Sequence, residues 1–164
     1  MSSEVRVPIH VRDLTHADIP HCTWSGSAHH LQCVARELDR VAAGVADYLA
    51  VCVAKTDLPV AIGGIDYELV PGGGSIHQLA TLPALQSCGL GTALIGAAEE
   101  RFRRRGLFRA ELGVEHDNPR ALALYERLGY VVFDHQPDAW DEEAPDGTLR
   151  RYETVCAILA KDLR

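Results

Sequence analysis

The stretch from Leu79 to Thr92, LATLPALQSCGLGT, places the strongest constraint on the fold. Its apolar first part is typical of a strand that ends before Pro83, and two glycines then lead into an amphipathic helix over Gly91–Arg105. Gly106 follows, where a left-handed residue commonly ends a helix. The stretch therefore predicts a strand, a glycine-rich turn over Gln86–Thr92, and a helix that starts within that turn.

The glycine-rich turn is suited to binding an anion. Gly89 and Gly91 allow a sharp bend and a close approach of a ligand to the backbone. The first N–H groups of a helix lack partners within it, and the helix dipole adds about half a positive charge there. An isolated GxG is more often a tight turn that binds nothing, and the full GxGxxG pattern of a dinucleotide fold is absent. The turn gains weight only through a second motif.

The second motif is Asn118–Tyr130, NPRALALYERLGY. Asn118 is a good N-cap, Pro119 fits the first helical position, and Gly129 ends the helix. One apolar face of this helix is formed by Ala121, Leu124, Tyr125 and Leu128. Tyr125 is the only member of that face with a polar tip. It is either a packed tyrosine with a bonded hydroxyl or a residue that does chemistry.

Periodicity along the rest of the chain predicts a mixed α/β (α+β) domain around one sheet. The Gly63-Gly64 pair indicates a bulge or a close backbone approach within a strand, and the three strands around it, joined by short turns, should form an antiparallel meander. Gln136–Gly147 is predicted to be a polar loop. The order β-α-β-β-β-α-β-α-β-β fits a single domain over residues 1–164. Strands are predicted over Val5–Arg12, Tyr48–Ala54, Val60–Val70, Ser75–Leu82, Leu107–Val114, Tyr130–His135 and Arg151–Ala160, with a first helix over Ala28–Gly44.

Composition narrows the classes of function. A hydrophobic content of 47% against 24% charged residues indicates a folded chain with a core. With 16 Lys and Arg against 23 Asp and Glu, the net charge of -7 disfavours nonspecific binding to nucleic acid or an anionic membrane. Five cysteines without CxxC spacing argue against a disulfide framework and a zinc cluster, so no metal is expected. No run resembles a signal peptide or a membrane span, and a reduced, cytoplasmic location is expected.

Together, the two motifs resemble the GNAT superfamily of acyl-CoA-dependent N-acyltransferases. The shared pattern is Q-x-x-G-x-G at the start of a helix, then a strand, then N-x-x-A-x-x-L-Y-E-x-x-G-Y, and it covers Ile76–Val132. The resemblance implies a central, mostly antiparallel twisted sheet flanked by helices. It also implies acetyl-CoA as the cosubstrate. Gln86 stands at the first motif position, where arginine is also frequent in the family.

The resemblance also implies roles for individual residues. Tyr125 matches the tyrosine that protonates the departing thiolate, which is reasonable because a phenol with a pKa near 10 is still protonated at neutral pH. Asn118 matches the asparagine that contacts the pantetheine arm. By the same resemblance, the pantetheine amides pair with Leu79, Ala80 and Thr81. The motif that begins at Gln86 cradles the coenzyme pyrophosphate with the backbone of Ser87, Cys88, Gly89, Leu90, Gly91 and Thr92.

Direct transfer also needs a base, because an ammonium group has no lone pair for attack. Gly113 occupies a position where some family members have glutamate. His77 is the leading candidate, since it resembles a histidine of the arylalkylamine-acetylating branch and an imidazole takes up protons near neutrality. Glu115, on the strand face of Gly113, and Glu68 are alternatives, as is a chain of water molecules. His77 is also compatible with a purely structural role.

The expected function is transfer of an acetyl group from acetyl-CoA to a primary amine within a ternary complex. The acceptor is expected on a small molecule or a polypeptide. The acidic segment Trp140–Glu143 slightly favours a small cationic amine, although a solvated loop explains it as well. A homodimer is compatible with the resemblance. The alternatives are a non-catalytic acyl-CoA-binding sensor on the same fold and an unrelated nucleotide-binding domain.

Overall fold

The chain folds around one seven-stranded sheet, described for residues 1–164 in a computed structural model. Three helices flank it: α1 (Ala28–Ala42), α2 (Leu90–Arg104) and α3 (Pro119–Arg127). Short 3₁₀ turns lie at His16–His21, Thr23–Ser25 and Pro83–Leu85. The strands are β1 (Ile9–Asp13), β2 (Ala46–Val53), β3 (Pro59–Asp66), β4 (Gly74–Thr81), β5 (Arg109–Glu115), β6 (Val131–Glu143) and β7 (Leu149–Asp162). The predicted order of strands and helices is confirmed.

The strands lie in the order β1-β2-β3-β4-β5-β7-β6, and only β4 and β5 are parallel neighbours. The predicted meander of β2, β3 and β4 is therefore confirmed, as is the mixed, mostly antiparallel fold. The parallel pair extends only from Gly74–Ile76 to Ala110–Leu112, although both strands continue. Beyond this point β4 and β5 are no longer paired, and the sheet opens into a cleft.

A β-bulge in β4 lies where the two strands part. The register of β3 and β4 shifts between Ile62 and Gly64, so the extra residue lies in β4, opposite the Gly63-Gly64 pair of β3. Of the two alternatives predicted for this pair, the close approach is confirmed, because a Cβ on either glycine would lie 2.6 Å from the side chain of Leu79 or His77. Gln78 has a φ of 53°, a left-handed conformation that favours glycine. The buried Tyr48 hydroxyl donates to Gln78 Oε1 at 3.0 Å and holds this residue in place. After the bulge β4 still pairs with β3, while its other edge faces the cleft.

Alternate residues of the sheet serve two cores, one on each face. In β2, Leu49 and Val51 belong to the larger core with helix α2, whereas Tyr48 and Ala50 belong to the smaller core with helix α1. Helix α2 contributes its fully buried stripe of Leu94, Ile95, Ala98 and Phe102. The glycine-rich turn before α2 is thereby fixed relative to the sheet. No helix combines the length and apolar character needed to cross a membrane.

Three predicted boundaries are wrong. The strand predicted over Val5–Arg12 begins only at Ile9, where its pairing with β2 starts. The segment predicted as a polar loop, Gln136–Gly147, is strand as far as Glu143, because its backbone pairs with β7 from Gln136↔Cys156 to Glu143↔Leu149. Its side chains are mostly exposed, so its sequence lacks the apolar alternation of a half-buried strand. The strand predicted over Val60–Val70 ends at Asp66, whose carboxylate accepts the N–H groups of two residues after it and forms a turn.

Candidate active site

Two cavities meet where β4 and β5 separate. The glycine-turn cavity, about 530 Å³, lies between the glycine-rich turn and α3. The acidic cavity, about 1080 Å³, lies among β5, β6 and the start of α1. Both are lined by Leu79, Ala80, Asn118 and Tyr125. These shared residues mark the place where two ligands could touch.

The glycine-rich turn presents a row of unsatisfied backbone donors. None of the N–H groups from Ser87 to Thr92 donates to an acceptor in the protein. Ser87 (φ 62°) and Gly89 (φ 87°) are both left-handed, and a Cβ on Gly89 would meet no atom within 4 Å. Cys88 contributes its amide only, since its exposed thiol lies against the Gln86 carbonyl at 3.7 Å. Free amides at the start of a helix are suited to binding a phosphate group, which is the role that the sequence analysis predicts for this turn.

Arg120 is a residue of this site that sequence reasoning missed. It lies in the first turn of α3, where Nη1 donates to Gln86 Oε1 at 3.0 Å and Nη2 donates to Ser87 Oγ. Arg120 and Arg127 are the charged residues that line the glycine-turn cavity. The only feature of the sequence that could have indicated Arg120 as a site residue was its position two residues after the predicted N-cap, Asn118.

The cleft-facing edge of β4 continues from the turn toward the junction of the cavities. Leu79, Ala80 and Thr81 all line the glycine-turn cavity, and β5 does not pair with them. Asn118 is the predicted N-cap of α3, because its Oδ1 accepts from Ala121 N at 3.2 Å. An extended ligand with amide groups could therefore pair with β4 as an added strand would.

Tyr125 lies at the junction of the two cavities. The residue is 8% exposed, and its hydroxyl has no hydrogen-bond partner within the protein. A packed tyrosine with a bonded hydroxyl, the alternative left open by the sequence, is therefore not what the structure contains. Burial raises the pKa of Tyr125, so the phenol is protonated at neutral pH and can donate a proton.

The acidic cavity has the opposite charge to its neighbour. Neither lysine nor arginine lines it, and its ionised groups are carboxylates. Trp140 forms part of one wall and packs against Tyr152, with ring centroids 5.0 Å apart. Glu143 Oε2 accepts from the backbone N of His29 at 3.0 Å and ties the end of β6 to the start of α1. The carboxylates that line the cavity are Glu115, Asp138, Asp141, Glu142 and Glu143.

Both leading candidates for the base line the acidic cavity. The His77 ring lies against Gly64, and its Nε2 is 3.7 Å from Glu37 Oε2. Burial lowers the pKa of His77 and outweighs the opposite effect of Glu37, so the imidazole is neutral at pH 7. Glu115 Oε1 accepts a hydrogen bond from the Tyr152 hydroxyl at 2.7 Å.

Glu68 does not belong to this site. Its side chain is 63% exposed and lies 3.7 Å from Arg40 Nη2, outside both cavities. The chain leaves β3 at Asp66, two residues before Glu68, so Glu68 does not face the cleft from that strand. The prediction of Glu68 as an alternative base is therefore wrong.

A separate group of side chains with metal-ligand atoms lies where β1 pairs with β2. Ligand atoms of His10, Cys52 and Asp57 lie within 4.8 Å of one another. Arg12 Nε donates to Asp57 Oδ1 at 2.9 Å, so a guanidinium already neutralises this carboxylate. The group lies apart from the candidate active site, and none of its residues lines either cavity.

Comparison with known proteins relates this geometry to one family. Residues 11–130 match the model of the acetyltransferase (GNAT) family. A mycothiol acetyltransferase of Beutenbergia cavernae is 47% identical over 58 residues, which is 35% of this chain and 20% of that protein. A mycothiol acetyltransferase of Clavibacter michiganensis is 36% identical over 93 residues, 56% of this chain and 30% of that protein. The chain thus matches less than a third of the length of these curated relatives.

Solved structures share the fold at low sequence identity. The ribosomal-protein-S18-alanine N-acetyltransferase of Escherichia coli superposes with a TM-score of 0.71 at 19% identity, covering 95% of this chain and 94% of that one. The PaiA N-acetyltransferase of Thermoplasma acidophilum, solved in complex with coenzyme A, has a TM-score of 0.67 at 14% identity, covering 94% and 99%. At these identities the likeness concerns the fold.

Proposed function

The chain belongs to the acetyltransferase (GNAT) family, and we propose that it transfers the acetyl group of acetyl-CoA directly to the primary amine of a small cationic molecule. The observation that carries the proposal is the run of unsatisfied amides, Ser87–Thr92, beside the unpaired edge of β4. Acetyl-CoA supplies a thioester whose thiol is the leaving group. The rest of the chemistry falls to residues of this chain.

The glycine-turn cavity and the β4 edge fit the coenzyme. The amides of Ser87–Thr92 would bind the diphosphate, helped by the dipole of α2. Leu79–Thr81 would pair with the pantetheine amides, and Asn118, which lines both cavities, would contact the arm near the thioester. Tyr125 lies beyond them, at the junction, where its free hydroxyl could reach the sulfur atom.

The acidic cavity fits a cationic acceptor. Five lining carboxylates without a lining lysine or arginine create a negative field that attracts an ammonium group. One proton must leave that group before its lone pair attacks the thioester carbonyl. His77 is proposed as the base because its imidazole is neutral at pH 7, with Glu115 as the alternative. As the C–S bond breaks, Tyr125 gives its proton to the thiolate. The acetylated nitrogen then releases its second proton, which restores the Tyr125 phenol.

A turnover assay against a panel of amines tests the proposal. Thiol release from acetyl-CoA is measured with monoamines, diamines, amino sugars and an amine-bearing peptide, and coenzyme A binding is measured by calorimetry. We expect cationic small molecules to give the highest kcat/KM, with a KM that rises with salt. Binding of coenzyme A without thiol release would support the sensor alternative, and a preference for the peptide would contradict the small acceptor.

A variant pair tests the acidic cavity separately. Asp138→Asn combined with Glu142→Gln should lower kcat/KM for a cationic amine about tenfold, because each removes a charge from the cavity lining. Glu100→Gln removes a charge from the exposed face of α2, outside both cavities, and should leave kcat/KM unchanged. The affinity for coenzyme A should stay the same in both variants. Equal effects of the two variants would contradict a role for the cavity.

A further inference from the structure

Arg120 spans from α3 to the glycine-rich turn, and its guanidinium lies beside the unsatisfied amides. Two of its nitrogen atoms donate to the Gln86 and Ser87 side chains, both of which are neutral acceptors. A guanidinium has five N–H donors, so further donors remain for a ligand. The contact therefore places a full positive charge next to the proposed phosphate site and leaves some N–H donors of Arg120 free for a ligand.

The glycine-turn cavity needs that charge. A diphosphate carries about two negative charges at neutral pH, while the start of α2 offers the equivalent of about half a positive charge. Gln86, at the first motif position, is neutral, and no aspartate or glutamate lines the cavity. Arg127, the second arginine in the cavity lining, forms no ion pair and no side-chain hydrogen bond, so it is not bonded to the turn. Arg120 is thus the cation that is hydrogen-bonded to the turn.

We propose that Arg120 binds the diphosphate of the coenzyme and exchanges its bonds to Gln86 and Ser87 for bonds to phosphate oxygens. This inference rests on the proposed binding of coenzyme A. The exchange is favourable because a phosphate oxygen carries a negative charge that attracts the guanidinium, whereas the Gln86 and Ser87 side chains are neutral acceptors. The planar guanidinium also matches two phosphate oxygens at once, which a lysine cannot do.

Calorimetric titration with coenzyme A tests the proposal on three variants. We expect Arg120→Gln to raise the Kd about tenfold, the loss of one charge-assisted contact. Arg120→Lys should restore only part of the affinity, because it keeps the charge but cannot bind two phosphate oxygens at once. Arg104→Gln is the matched control, since it removes an arginine whose only partner is the exposed Glu100. It should bind like the unsubstituted protein. Thermal melting of each variant confirms that the fold is intact.

Two further measurements separate the proposal from its competitors. The first measurement uses 3′-dephospho-CoA, which keeps the diphosphate. Arg120→Gln should raise the Kd for this ligand by the same factor as the Kd for coenzyme A. A loss confined to coenzyme A would assign Arg120 to the 3′-phosphate and overturn the proposal. The second measurement is the dependence of the Kd for coenzyme A on salt. If Arg120 contacts the diphosphate, affinity should fall with salt more steeply in the unsubstituted protein than in Arg120→Gln. If Arg120 only holds the turn in shape, the two salt dependences should be equal.

The result for the unsubstituted protein distinguishes this inference from the proposed function. If that protein binds no coenzyme A, the proposed function fails and this inference falls with it. If the protein binds coenzyme A and Arg120→Gln binds it equally well, only the role of Arg120 is refuted.

Discussion

Two tyrosines of the second motif should respond in opposite ways to the loss of a hydroxyl group. The Tyr125 hydroxyl has no partner in the protein, whereas the Tyr130 hydroxyl donates to the buried Glu99 at 3.0 Å. Both side chains are buried in the same core. Phenylalanine fills nearly the same volume, so each substitution isolates the contribution of one oxygen atom.

Tyr125→Phe should slow turnover and leave stability nearly unchanged. No hydrogen bond is lost, so we expect the free energy of unfolding to change by less than about 0.5 kcal/mol. A lost proton donor typically costs a factor of about 100 or more in kcat, equivalent to about 3 kcal/mol on the barrier. The affinity for coenzyme A should change little, because the hydroxyl acts on the sulfur only as the bond breaks.

Tyr130→Phe should do the reverse. Glu99 loses one donor but keeps Lys161 Nζ at 2.9 Å, so we expect a loss of about 1–2 kcal/mol and a Tm lower by about 2–8 °C. Well below that temperature kcat should stay within about twofold. Thermal melting and thiol release with the best amine of the panel measure both quantities. Parallel losses of stability and rate in both variants, or an unchanged rate of Tyr125→Phe across pH 6–9, would refute the assignment of Tyr125.

Three further predictions concern the glycine-rich turn, the base and the ion pair of the first 3₁₀ turn. Gly89→Glu should abolish binding of coenzyme A in calorimetry, because it brings a carboxylate and a strained left-handed residue to the phosphate site, while circular dichroism shows a retained fold. If His77 is the base, kcat/KM should fall on the acid side with an apparent pKa below the ordinary histidine value of about 6.5. This fall should be absent in His77→Gln and present in Glu115→Gln. The opposite pattern would make Glu115 the base. Asp18, bonded twice by Arg12, has its pKa lowered to about 2, so its stabilisation of about 2 kcal/mol is complete above pH 4 and is lost as the pH falls toward 2; urea unfolding should show this loss in the unsubstituted protein and not in Asp18→Asn.

The sequence predicted most of the features that depend on local backbone preference. Gly89 is left-handed and Asn118 caps α3, because each conformation follows from the residue itself and its immediate neighbours. The Gly63-Gly64 pair likewise indicated the close approach of side chains from the neighbouring strand, since glycine in a strand leaves room for one. The glycine-turn half of the candidate site consists largely of such features.

What the sequence did not reveal depends on contacts between distant segments. The end of β6 is polar on both faces, and only pairing with β7 makes it a strand. The bonds from Arg120 to the turn join residues 33 and 34 positions apart, and the bond from Tyr48 to Gln78 joins residues 30 positions apart. No periodicity records such pairs, because each partner alone is compatible with a solvated or simply buried side chain.

The hydrogen bond between Glu143 and His29 has a consequence for how this protein could diversify. It joins the start of α1 to the end of β6 and closes one wall of the acidic cavity. The β6 part of that wall lies outside residues 11–130, which match the family model. The glycine-rich turn and α3 lie inside that range. If the proposed function is correct, substitutions at the distal end of β6 would change the lining of the acidic cavity, and thus the choice of amine, without altering the glycine-rich turn and α3.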